Sequence, residues 1–172
     1  MATREFEGRS LLEEFPERWQ RVVTDPHRFF AEMPETGGLQ APTLFLAVCA
    51  GVNALGHLLF FIGLPGMVAI FVWQIIAAFL MAALLVLIAQ HLFGGRAGFE
   101  PTFRVVAYSW APLLIAWVPF IGRLALLYTA YLTIRGIERV QGLDATRAVL
   151  TVVLGAGALW VLGILGVGPA WL

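Results

Sequence analysis

The sequence contains no lysine; its 11 basic residues are all arginines. GC-rich coding explains that without a functional cause, and selection of guanidinium at phosphate or carboxylate sites is the alternative. Cysteine occurs once, as Cys49 inside an apolar run. That excludes an intrachain disulfide and a cysteine-based zinc site, and leaves a small buried hydrophobe. Charge is scarce: 13% of residues carry one, against about 25% in an ordinary soluble domain. From Thr36 to Gly95 there is no Asp, Glu, Lys or Arg in 60 residues. No HExxH, Gly-rich phosphate loop or nucleophile elbow is present, so no catalytic, cofactor or metal site is expected. Net charge is zero and no basic tract occurs, which argues against nucleic acid. The first 40 residues are polar and acidic, without the apolar core of a cleaved signal peptide, so the first apolar segment is expected to serve as the targeting signal.

What remains is apolar. Sixty per cent of the 172 residues are hydrophobic and mean hydropathy is +0.84. One domain of this length cannot hide so much apolar surface in its own core, so a bilayer is the expected solvent. The expected fold is an all-α polytopic membrane protein of five transmembrane helices behind a short amphipathic cytoplasmic region, residues 1–40. The 60-residue uncharged run exceeds one span of about 20 residues. It breaks at the turn residues of "GLPG", giving spans at about 42–62 and 67–92. Val105 to Ile134, as a single helix, would be ~45 Å long against a hydrocarbon core of ~30 Å. Splitting it at "VPFIG" gives spans at about 102–118 and 120–137, and a fifth follows at about 148–168. Seven arginines flank one side of these spans and Arg123 alone the other, which predicts a cytoplasmic N-terminus and an outer or lumenal C-terminus. Trp117 and Trp171 then fall at the outer interface.

In the N-terminal region Ser10 and Glu13 have capping-box spacing. Leu11, Leu12, Phe15, Trp19, Val22 and Val23 follow at helical spacing. Asp25 is placed to cap a second helix, with Pro26 at its first position and Phe29, Phe30 and Met33 on one side. Such helices lie either on the membrane surface or on the protein's own spans.

Polar groups inside spans are costly and mark candidate sites. Asn53 and His57 share a face of span one; Gln74 lies on a stripe of span two with Ala78 and Ala82. Tyr108 and Ser109 precede Pro112, which removes a backbone donor and bends span three. These six residues form the candidate intramembrane site, either as interhelical hydrogen bonds or as a ligand pocket. At the cytoplasmic face Arg96, Arg104, Arg135, Glu138 and Arg139 are candidate contacts for lipid headgroups or partner proteins. Asp144 is placed to cap the fifth helix.

The stretches "GFEPTFRVVAYSWAPLLIAWVPFIG" and "LYTAYLTIRGIERVQGLDATRAV" resemble the Yip family of Ypt/Rab-interacting membrane proteins, in its bacterial type. They share a loop Phe, Tyr-Ser, a Pro, a Pro-x-x-Gly and a Gly-containing loop leading to Arg-Ala. "DPHRFF" resembles the Pro-aromatic stretch before the first span of many prokaryotic members. The likeness covers about residues 20–155. It implies five spans with a cytoplasmic N-terminus; eukaryotic members act in vesicle trafficking and some bind prenylated Rab-type GTPases. The Asp-Leu-Tyr-Gly-Pro signature of those members is absent. Three functions compete: a non-catalytic scaffold that binds proteins and organises the membrane, a small transporter or lipid-moving protein, and a membrane-embedded enzyme. Expected partners are the lipid bilayer and proteins at the cytoplasmic face, with homo-oligomers left open; no cofactor is expected.

Overall fold

The computed structural model describes residues 13–59 and 63–163. The expected Ser10–Glu13 cap, Leu11, Leu12 and Trp171 lie wholly or partly outside them. The described residues form seven α-helices and one 3-10 segment: α1 Phe15–Thr24, α2 Pro26–Glu32, α3 Gln40–Leu58, α4 Gly63–Phe93, α5 Phe99–Ser109, the 3-10 segment Ala111–Ile115, α6 Ile121–Gln141 and α7 Ala145–Leu162. Three of them, α3, α4 and α7, are long and apolar enough to cross a membrane. The third expected span, 102–118, is an eleven-residue helix that gives way to the 3-10 segment. The fourth, α6, is 21 residues long but carries Arg123 near one end and Arg135, Glu138 and Arg139 near the other.

Local chemistry sets the ends of these helices. Asp25 accepts the amide of Arg28 and Pro26 opens α2 with no amide to satisfy. Asp144 does the same for α7 through the amide of Arg147. Gly142, at φ +68°, closes α6 in the left-handed conformation that glycine adopts without strain. The turn residues of "GLPG" fall within the first turn of α4, where a proline costs little. At 31 residues, α4 is about 46 Å long. That exceeds the hydrocarbon thickness, so α4 tilts or emerges from it.

Helix α5 is the centre of the domain. Every residue from Thr102 to Ser109 is buried, all the way round the helix. It is walled by α3, α4 and α6, and α1 closes the remaining side. Gly136 of α6 lies so close to α5 that a Cβ there would meet the Val105 side chain. Small residues permit that approach, and dispersion between close-packed helices is the main attraction available in lipid. Gly56 of α3 serves the Trp117 indole in the same way. The helices α1 and α2 pack on the protein's own helices: Val22 is fully buried, and Phe30 and Met33 are nearly so.

The corner into α6 is strained. Phe120 has φ +66° and ψ −48°, and the amide of Ile121 donates to the carbonyl of Pro119 across it, closing a γ-turn. A non-glycine residue there costs about 1–3 kcal/mol. Phe120 is 82% exposed, so its ring gains little from the protein. Phe120→Gly is therefore expected to leave thermal stability in detergent unchanged or raise it by about 1 kcal/mol, net of the extra chain entropy of glycine. A fall of similar size would show that the ring, not the turn, dominates.

Candidate functional site

The decisive local event is the break after Ser109. Pro112 sits in the first turn of the 3-10 segment, where its missing amide matters least. The carbonyls of the tighter turn keep only its poorer 3-10 hydrogen bonds, such as the Ala116 amide on Leu113 at 3.0 Å, and have lone pairs left for second donors. Two side chains supply them. The Trp19 indole Nε1 donates to the carbonyl of Ala111 at 2.9 Å. The Asn53 amide Nδ2 donates to the carbonyl of Leu113 at 2.7 Å, and Gln74 Nε2 donates to Asn53 Oδ1 at 2.7 Å. Span-like helices α3 and α4 are thus joined to the broken segment by one hydrogen-bonded chain.

Of the six candidate intramembrane residues, Asn53, Gln74 and the Pro112 break come together. Tyr108 faces elsewhere. Its hydroxyl accepts a hydrogen bond from Arg18 at 3.0 Å, and its ring meets Phe29 and Phe45 edge-on at 5.2 and 5.1 Å. The Ser109 hydroxyl is fully buried and has no hydrogen-bond partner among the described residues. His57 lies one turn beyond Asn53, partly exposed on α3. Cys49 is buried in the core.

The candidates for headgroup or partner contact also divide. Arg104 is 2% exposed; its NH2 donates to the carbonyl of Gly38 at 2.9 Å and its Nε lies 3.6 Å from Glu100 Oε1. Glu100 in turn accepts the amide of Gly38 at 2.6 Å. The pair therefore clamps the linker between α2 and α3, and Arg104 is not at the surface. Arg96 is exposed and lies over Gly142. Arg135 pairs with Glu138 at 2.9 Å and stacks over Tyr131 at 5.5 Å. Arg139 is exposed.

Several residues that hold the site escape sequence reading. Gln141 is buried, accepts the amide of Ala97 and donates to Thr102, so it pins the α4–α5 loop to the end of α6. Tyr128 donates to the carbonyl of Val23 at 2.7 Å and ties α6 to the end of α1. Trp19 is legible only as a member of an amphipathic stripe, and Arg18 gives no signal. The available clue was chemical: a tryptophan on an apolar face needs a partner for its N–H.

The Yip1 domain matches residues 21–168 of the chain. This protein belongs to the Yip1 family. No curated protein and no solved structure matches it. As a Yip1-family chain with three helices long enough to cross a bilayer, it is a multi-pass membrane protein. Its family segment begins inside α1 and takes in α2, the helices that satisfy and cover the broken α5.

That attachment is testable. Trp19→Phe keeps the ring and removes the N–H, leaving the buried Ala111 carbonyl without that donor. A loss of about 1 kcal/mol is expected, read as faster hydrogen exchange across α1. A second, weaker tie runs through Glu32, which joins α1 to α2 by pairing with Arg28 at 2.8 Å and Arg21 at 2.7 Å. The hydrogen bond from Arg28, then the charge of both arginines, holds its carboxyl below the usual carboxylate range. Its folded pKa is depressed, so its contribution is present above the ordinary value and is lost as pH falls through the folded one. The pairs are solvent-exposed, so the effect is small: acid below the ordinary carboxylate range is expected to loosen α1 from α2, and Glu32→Gln should abolish that pH dependence.

Proposed function

We propose that this protein is a non-catalytic membrane scaffold with five spans, a cytoplasmic N-terminus and a partner-binding cytoplasmic face. The observation that carries the reading is where the polar groups go. Asn53, Gln74 and Trp19 are engaged in holding the broken helix, while Arg96, Arg139 and the Asp144–Arg147 pair stand at the surface. Polar chemistry inside the domain maintains the fold, and polar chemistry at the face is free to meet lipid or protein. The five-span arrangement counts α5 with its 3-10 segment, together roughly 26 Å, and α6 with its terminal arginines reaching the headgroups. Irregular backbone at membrane depth is tolerated where protein covers it, as it covers Ser109, Ala111 and Pro112 at the break.

Crosslinking in cells followed by mass spectrometry tests the scaffold: reproducible partners on residues 13–35 or on the loops around Arg96 and Arg147 support it, and none at natural abundance defeats it. A C-terminal reporter active only in the cytoplasm would defeat the five-span topology. The second reading is a small transporter or lipid-moving protein, favoured by the discontinuous helix at Ser109–Pro112 and the orphaned Ser109 hydroxyl. Liposome transport that is lost in the Asn53→Ala, His57→Ala double variant would favour it over the scaffold.

A further inference from the structure

At the cytoplasmic end of α6, a cleft of about 260 Å³ opens against α2, lined by Pro26, His27, Phe30, Arg135, Glu138 and Arg139. Arg135 and Arg139 are four apart on α6, so they lie on one face and repel each other. A single carboxylate, Glu138, is available between them, and Arg135 holds it at 2.9 Å. Arg139 has no ion pair or hydrogen bond among the described residues. His27 comes from the opposite wall, its Nε2 3.3 Å from the Tyr131 hydroxyl. The Arg135 guanidinium is stacked on Tyr131, which fixes its plane. Behind these groups Pro26 and Phe30 are buried, so the back of the cleft is apolar and rigid.

An arginine in the last turn of a helix also suits the helix dipole. That accounts for one cation there. It does not account for two on the same face beside a histidine, with only one carboxylate to share. An anion with several acceptor oxygens would answer both cations, since guanidinium groups bind such anions through paired N–H donors. We infer that the α2–α6 cleft is a phosphate-binding site, formed by Arg139, Arg135 and His27, for a phosphomonoester group. Under the orientation proposed above it faces the cytoplasmic headgroup layer. A lipid such as phosphatidic acid and a soluble phosphomonoester offer the same chemistry, and the test distinguishes them.

The full chain in phosphatidylcholine nanodiscs, with phosphatidic acid titrated in and bound lipid counted by native mass spectrometry, provides the readout. Phosphatidic acid should be retained at least tenfold over phosphatidylcholine. Arg139→Gln should lower that preference about tenfold, the loss of one charge-assisted contact. Glu138→Gln should raise it severalfold, because it removes the competing carboxylate and frees Arg135. Arg123→Gln, an exposed cation at the opposite end of α6, should leave it unchanged. Displacement of the lipid by millimolar glycerol phosphate would confirm the phosphate site and assign it a soluble ligand; resistance to displacement assigns it to the lipid. An unchanged preference in Arg139→Gln, weaker binding in Glu138→Gln, or an equal loss in Arg123→Gln overturns the proposal. Nanodiscs expose both faces, so the result does not depend on the number or direction of the spans, and a failed topology experiment would not be mistaken for a failed site.

Discussion

Gly136→Ala is expected to destabilise the protein by about 1–3 kcal/mol, the opposite sign from the usual exchange of a helical glycine. In an open helix, alanine is better than glycine by about 1 kcal/mol. Here the added Cβ would meet the Val105 side chain, with Val105 Cγ2 at 3.0 Å and its Cγ1 closer still. Val105 cannot move aside: it is β-branched and so stiff at χ1, it is fully buried, and it belongs to a helix walled by others. Overpacking therefore outweighs propensity. Gly136→Leu should be worse and is expected to separate α5 from α6. The reciprocal change supplies the control. Val105→Ala alone opens a small cavity, but in combination with Gly136→Ala it should restore much of the lost stability. Unfolding in mixed micelles measures all three, and a stabilised Gly136→Ala single variant would show that α5 and α6 are not in this contact. The Gly136 contact also sets the register of α6, and with it the positions of Arg135 and Arg139 against α2.

Sequence patterning carried the apolar architecture well and the polar interior poorly, for physical reasons. Apolar run length is a local property, so α3, α4 and α7 can be read from hydropathy alone. Length also separates α5 from α6, because a 30-residue run is too long for one helix and Pro119–Gly122 is the place to turn. The internal break is harder. Pro112 announces a break, but the side chains that hold its flanking carbonyls, Ala111 and Leu113, are Trp19 and Asn53, 92 and 60 residues from them. The tail shows the same limit: an amphipathic helix has an apolar face whatever covers it, and only the fold reveals that α5 and α6 do. Arg104 is the sharpest case. It stands in a polar stretch next to a glutamate, a pattern read as surface, yet it turns inward to hold the carbonyl of Gly38. Gly136 gave no signal, since a glycine in a helix looks the same whether it meets lipid or another backbone.

Asn53→Leu is expected to cost about 2 kcal/mol, and its partner variant should reveal why. Leucine has nearly the volume of asparagine plus a methyl group, so packing is roughly kept while both amide contacts vanish. The Leu113 carbonyl retains the amide of Ala116 at 3.0 Å, so its loss is partial. The Gln74 amide keeps no such substitute among the described residues, and it is left in an apolar setting. Interhelical hydrogen bonds in membranes are worth about 0.6–2 kcal/mol each, and the orphaned amide adds its own penalty. Gln74→Leu alone should cost less, about 1 kcal/mol, because Asn53 can still hold Leu113. The double variant removes the orphan along with its partner, so its loss should fall below the sum of the singles by about 1 kcal/mol. Strict additivity would mean that Asn53 and Gln74 act independently and that the chain from α4 to the broken segment does no work. The same set separates the two functional readings. If these amides serve the fold, the double variant, no less stable than Asn53→Leu, should retain its partner crosslinks under conditions where it is folded. If they line a transport path, the double variant should be folded and yet inactive in liposomes.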